Sequence, residues 1–218
     1  MKALMYMLRA GCPWRDLPCA PLKWRTIYGY FARWRDLGLW DRILRGLVKK
    51  AQGRLRFIDA SYIRVHHSGL NAQGGRDAQA IGLSRGGLTT KIHALVDGQG
   101  RALKLLLSAG NVADITMAPA LVADLSARDC GTLVADKGYD SDALRASLVE
   151  KDIFPCLALN ATRKESRPFH RGYYRQRHHV ENFFSALKRH RRVSARYEKL
   201  ATSFAAFVTL SAIVHWIG

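Results

Sequence analysis

The chain has 218 residues, 48% of them hydrophobic, and a formal net charge of +18 from 35 Lys and Arg against 17 Asp and Glu. Such a composition excludes a disordered chain, and the length suits one or two domains of ~150 residues. The charge exceeds what a small acidic substrate needs and points to a polyanion, nucleic acid, as partner.

In chain order, residues 2–9 read as a short helix, followed by the turn-rich GCPWRDLP. Pro21 to Leu37 reads as a second helix with Pro21 in its first turn, Trp24, Ile27, Tyr28, Phe31 and Trp34 forming one apolar face. Gly38 ends it, and Trp40 to Gln52 reads as a third. Short helices with basic surfaces resemble a helix-turn-helix module, so residues 1–55 are expected to be a small DNA-binding helical domain.

The pattern then changes period. Arg56–His66 is rich in β-branched and aromatic residues and reads as a strand, and residues 69–87 read as a loop. LTTKIHALVD and RALKLLLSAG form a hairpin around DGQG. Residues 114–127 read as a helix capped by Asp114, GTLVAD as a strand ending at Asp136, Ser141–Glu150 as a helix, and IFPCLAL as a fifth strand. A basic loop, ATRKESRPFHRGYY, leads to one long helix from Tyr174 to Arg192 and a last helix over 200–217. The order β-β-β-α-β-α-β-α is that of an α/β, ribonuclease-H-like domain over residues 56–218.

Charge is distributed unevenly along this order. Residues 1–55 and 160–199 each carry 12 basic and 3 acidic side chains, while residues 56–159 carry 11 of each. Residues 200–218 have no charge, but Thr202, Ser203, Thr209, Ser211 and His215 interrupt them, so a core helix is expected and no membrane span. Cys12, Cys19, Cys130 and Cys156 lack the spacing of a disulfide framework or zinc site and fit a reduced, cytoplasmic protein.

Acidic residues inside apolar strands are costly unless a cation compensates them. Asp59 in FIDAS and Asp136 ending LVAD are such residues, on the first and fourth strands. Glu181 supplies a third carboxylate. At about 100° per residue, Tyr174, Arg177, Glu181, Lys188 and Arg192 share a sector of about 60° beside an apolar face of Val180, Phe183, Phe184 and Leu187. The plainer reading of Glu181 is an ion pair with Arg177 or Lys188, which leaves the rest of the basic stripe unexplained. Arg85 and Lys91, on the Gly-rich LSRGGLTTK, and Lys137 are further candidates for phosphate contacts; His93 reads as a packed strand histidine.

Tyr174-x2-Arg177-x3-Glu181-x6-Lys188 resembles the Y-R-E-K signature of bacterial insertion-sequence DDE transposases of the fourth and fifth insertion-element families. GCPWRDLP, IGLSRGGLTTKIHALVDGQG, ADKGYDSDALR and RRVSARYEKLATSFAAFV resemble fifth-family blocks in the same order. The resemblance implies a ribonuclease-H-like fold and Asp59, Asp136 and Glu181 as catalytic triad and metal ligands. It also implies Mg²⁺, or Mn²⁺ in its place. Double-stranded DNA, as terminal inverted repeats and target, would be the partner of a homo-oligomer on paired ends, in the bacterial cytoplasm at the nucleoid. Tyr174, Arg177, Lys188 and Arg192 would contact DNA, with Arg85, Lys91 and Lys137 beside them. Relatives carry residues ahead of GCPWRDLP that complete a first helix, so the front is expected to be shortened. A structure-selective nuclease of the same fold and a non-catalytic DNA-binding copy are the alternatives.

Overall fold

In a computed structural model, residues 1–70, 74–160 and 167–218 are described. Parts of the two expected loops, residues 71–73 and 161–166, lie outside that set. Three helices open the chain: α1 (Lys2–Ala10), α2 (Trp24–Asp36) and α3 (Leu39–Val48). Strand β1 (Leu55–Val65) follows, then the one-turn helix α4 (Gly75–Ala78), β2 (Gly82–Ser84), β3 (Gly87–Asp97) and β4 (Ala102–Ala109). Next come α5 (Asp114–Val122), β5 (Thr132–Ala135), α6 (Asp142–Val149) and β6 (Phe154–Leu157). The chain continues through α7 (Arg171–Arg175), α8 (His178–Lys188), α9 (Arg191–Ser194), the two-residue β7 (Ala195–Arg196) and α10 (Ala201–Ile217).

One mixed sheet organises these elements. β4, β3 and β1 are antiparallel neighbours, and β1, β5 and β6 are parallel neighbours. β2 pairs with the first residues of β3 beyond the end of β4, and β7 pairs with Arg64 and Val65 at the far end of β1. Parallel partners need crossovers, which α5 and α6 with their flanking loops provide.

Both faces of the sheet are covered, because successive strand residues point to opposite sides. Phe57 joins a core with Val180, Phe183, Leu187, Phe204 and Phe207 from α8 and α10, while Ile58 joins a second core with Leu121, Leu144 and Leu148 from α5 and α6. Each such side chain stabilises the fold by ~1.5–3 kcal/mol. α10 is a core helix, with ten residues buried, and no helix among the described residues is long and apolar enough to cross a membrane.

Several expectations are corrected. Among the described residues, Leu4, Met7 and Leu8 of α1, Phe31 of α2 and Trp40 and Leu44 of α3 lie in the same cluster as α8 and α10. Pro21 lies ahead of α2, whose N-cap is Lys23, and Phe31 alone of the five apolar-face residues is buried. The segment 69–87 contains α4 and β2. α5 ends at Val122 and is N-capped by Ala113, because the Asp114 carboxylate is taken by Lys91.

The largest correction is the long helix 174–192, which is three helices, α7, α8 and α9. A single angular stripe therefore does not run from Tyr174 to Arg192. Gly11 in the αL conformation and the Cys12 carbonyl, which accepts from Arg192, fix the GCPWRDLP turn to α9.

Candidate active site

Asp59 lies in the middle of β1, on the face that carries Phe57. β5 is the parallel neighbour of β1, with Phe57 opposite Val134. Carried two residues further, that register sets Asp136, just past the last residue of β5, across from Asp59. The Asp59 Oδ1 accepts the Ala60 N–H at 2.8 Å, and the Asp136 Oδ1 accepts the Gly138 N–H at 2.9 Å. A Cβ at position 138 would come within 3.1 Å of that oxygen, so a glycine there allows the approach.

Glu181 stands in the first turn of α8, where a carboxylate is favoured by the helix dipole. Arg177, the N-cap residue, gathers the acids: its Nη1 donates to Asp59 Oδ2 at 2.8 Å and its Nη2 donates to Glu181 Oε1. The pairing of Glu181 with Arg177 foreseen as the plainer reading is thus present, and it extends to Asp59. Burial pushes the Asp59 carboxyl up to about 6, with Asp136 adding to the rise and Ala60 N–H and Arg177 opposing it. Burial acts to lower the Arg177 guanidinium, but Asp59, Glu181 and Asp136 outweigh it and leave its pKa raised.

These three carboxylates, on β1, the end of β5 and α8, offer only oxygen donors, which suit a hard divalent cation. The costly ionisation of Asp59 is what a bound cation would relieve. Among the described residues, no three Asp, Glu, His or Cys side chains already stand as a metal-binding group. Arg177 occupies the space between Asp59 and Glu181 and carries the compensating charge.

A second shell of contacts fixes the loop carrying Asp136. The buried Arg145 of α6 donates to Asp140 Oδ1 at 3.0 Å and to the Pro155 and Leu157 carbonyls at 3.3 and 3.0 Å. It thereby ties the turn after β5 to the end of β6. Sequence reasoning missed this lock, although two oppositely charged residues five apart in ADKGYDSDALR were its signal.

The other candidates divide. Lys188 is exposed at the end of α8, Lys137 is exposed beside Asp136, and Arg85 is exposed in the turn between β2 and β3. Tyr174 is half-buried, its ring 5.1 Å from that of Phe169. Two candidates are corrected. Lys91 is buried, its Nζ donating to the Val112 carbonyl and to Asp114, each at 2.7 Å. Arg192 is also buried, paired at 2.5 Å with Glu198, whose carboxyl burial pushes up against the opposing pull of Arg192. Both charges are buried and committed to carboxylates, Lys91 to the half-buried Asp114 and Arg192 to the buried Glu198. His93 is a packed strand histidine, its Nε2 2.7 Å from Ser108 Oγ.

Comparison with known proteins agrees with this geometry. Residues 50–217 match the family model described as a transposase DDE domain, and residues 1–44 match one described as a transposase of the IS4/5 family. A Brucella ovis protein, named as a transposase for insertion sequence element IS6501, is 35% identical over 131 residues, covering 60% of this chain and 99% of that protein. A Burkholderia cepacia protein, named as a transposase for insertion sequence element IS402, is 30% identical over 130 residues, covering 56% of this chain and 59% of that protein. With a DDE family model spanning most of its length, the chain belongs to the DDE transposases of bacterial insertion sequences, enzymes that cut and join DNA in transposition.

Proposed function

We propose that Asp59, Asp136 and Glu181 are the catalytic triad, and that they cut an insertion element at its terminal inverted repeats and join it to target DNA. The observation that carries this reading is that Arg177 joins the carboxylates of β1 and α8, while the β1–β5 register sets Asp136 across from Asp59. The sheet order β4-β3-β1-β5-β6, with its antiparallel meander followed by two parallel strands, supports a ribonuclease-H-like core.

Divalent ions, Mg²⁺ or Mn²⁺, would be held by Asp59, Asp136 and Glu181 and would supply charge at the attacking and leaving oxygens of the phosphodiester. Arg177 has two tasks. With the acids bare it neutralises Asp59 and Glu181; once they are otherwise compensated, its fork is free to donate to two oxygens of one phosphate. Lys188 lies seven residues beyond Glu181, about 10 Å along the helix, and suits a phosphate a few nucleotides from the cut. Lys137 and Arg85 extend the phosphate track, and Tyr174 positions Arg177. In the first step water attacks phosphorus and the strand leaves as a 3′-OH. In the second that hydroxyl attacks a target phosphorus and displaces a target 3′-oxygen.

Such a protein acts in the cytoplasm on nucleoid DNA, as a homo-oligomer on paired element ends. The test is cleavage and joining of labelled element ends by the full chain with Mg²⁺. Asp59→Asn, Asp136→Asn and Glu181→Gln should each abolish both steps while far-ultraviolet circular dichroism stays unchanged. A folded variant cutting at the wild-type rate removes that residue from the triad, and cutting without joining favours the nuclease.

A further inference from the structure

Two cations of the phosphate track, Arg85 and Lys188, line a groove of about 940 Å³ together with Tyr62, Arg64 and Leu83, which that track leaves unexplained. Three of these five are cations and the whole lining has no carboxylate. Among the described residues, none of the three is ion-paired; Arg64 makes only a long contact to the Gly86 carbonyl at 3.4 Å.

Tyr62 is unusual for a strand residue flanked by bases, because half its surface is open. Its other side is braced: the Lys91 Nζ sits 4.7 Å from the ring centroid and is itself pinned by Val112 and Asp114. The ring is therefore a fixed platform with a free surface. Leu83, across the same groove, is 71% exposed and adds a second apolar surface.

The groove is lined from two elements that also carry candidate carboxylates, β1 with Asp59 and α8 with Glu181. On the side of β1 away from β3, β5 pairs with residues 55–57 and β7 with residues 64–65, and residues 58–63 have no strand partner there among the described residues. Through that gap Lys188, from the Asp59 face, lines the same groove as Tyr62, whose position in the pleat puts it on the opposite face. Tyr62 lies three residue steps beyond Asp59 along β1, ~10 Å at 3.3 Å each. That equals about three nucleotide steps at ~3.4 Å of rise.

We propose that this groove holds an unpaired stretch of the DNA substrate, one base stacked on Tyr62 and the neighbouring phosphates on Arg64, Arg85 and Lys188. An exposed aromatic among cations is the arrangement that binds single strands without reading sequence, since every base has a π-face. A base inside a duplex has no open face, so an intact double helix leaves the ring unused. The inference rests on the transposase reading for the identity of the strand.

The full-length chain is titrated, without divalent metal, against a blunt duplex and against the same duplex with a short 3′ overhang carrying 2-aminopurine. Tyr62→Ala should weaken overhang binding about tenfold and blunt-duplex binding by less than about twofold. Tyr62→Phe should behave as wild type, and both should quench 2-aminopurine where Tyr62→Ala does not. Arg64→Ala should lower the salt slope on the overhang substrate by about one unit. Equal losses on both substrates, no loss on the overhang, or quenching that survives Tyr62→Ala overturns the proposal. Cleavage of element ends by the wild type reports the transposase reading separately: retained cleavage without an overhang preference overturns the groove alone.

Discussion

Asp59→Asn should remove catalysis and at the same time stabilise the protein. Burial raises the Asp59 carboxyl to about 6 from an ordinary value of 3.8. The folded state therefore holds a proton that the unfolded chain has released between about pH 4 and pH 6. Stability falls with pH wherever the folded state binds more protons, so the wild type loses stability across that window and does not regain it above. About two pKa units at 1.36 kcal/mol each give about 3 kcal/mol as the upper end of the loss. Asparagine has nearly the same shape, carries no charge to desolvate, and leaves Arg177 paired with Glu181. The variant should match the wild type near pH 4 and exceed it by about 1–3 kcal/mol at pH 7.5. Urea unfolding at several pH values, with a chelator present, measures the difference. Adding Mg²⁺ should then narrow the gap by stabilising the wild type alone. A gap independent of pH, or a variant less stable at pH 7.5, would refute the claim that Asp59 is held ionised at a cost that Arg177 only partly offsets.

Three further outcomes follow from the geometry. Lys188→Ala should slow single-turnover cleavage at saturating protein by about ten- to a hundredfold, about 1.4–2.8 kcal/mol, and a rate within twofold of wild type would leave Lys188 a solvated base. Gly100→Ala should destabilise the fold by about 1–3 kcal/mol in thermal unfolding, because φ is +75° and the new Cβ would lie 2.9 Å from the His179 carbonyl oxygen at the start of α8. Arg145→Ala should cost about 3–5 kcal/mol in urea unfolding by leaving the buried Asp140 carboxylate without its guanidinium; Arg145→Lys should recover only part of it, since one ammonium cannot reach Asp140 and both carbonyls at once.

The strands, the hairpin and the two strand carboxylates were legible because their signals are local. A charged residue inside an apolar strand stands out against two or three neighbours, as Asp59 does between Ile58 and Ala60. The breaks after α7 and α8 were not legible, since no Gly or Pro marks them and the apolar spacing of Val180, Phe183, Phe184 and Leu187 is local to α8. Extending that period to Arg192 put it on the catalytic stripe, whereas Glu198, on the far side of β7, draws it into the interior. Lys91 was misread for the same reason: its partner Asp114 lies 23 residues away across a strand. Charge counts mark residues 1–55 as a basic helical domain because they register surface; the shared core depends on Leu4, Leu8, Phe31 and Leu44, which carry no charge.

That shared core also bears on how such an enzyme can be given a new target. In a protein built from separable modules, the part that recognises a sequence can be exchanged like a cassette while the part that cuts stays intact. Here buried residues of α1, α2 and α3 belong to the same hydrophobic cluster as those of α8, the helix that carries Glu181 and Lys188. Any recognition surface on the front helices is rigidly geared to the scissors, so the distance from the sequence read to the bond cut is set by side-chain packing and not by a tether. Grafting a foreign reader onto residue 56 would strip Trp14 and Phe31 from Phe207, and the graft would have to be redesigned from the core outward.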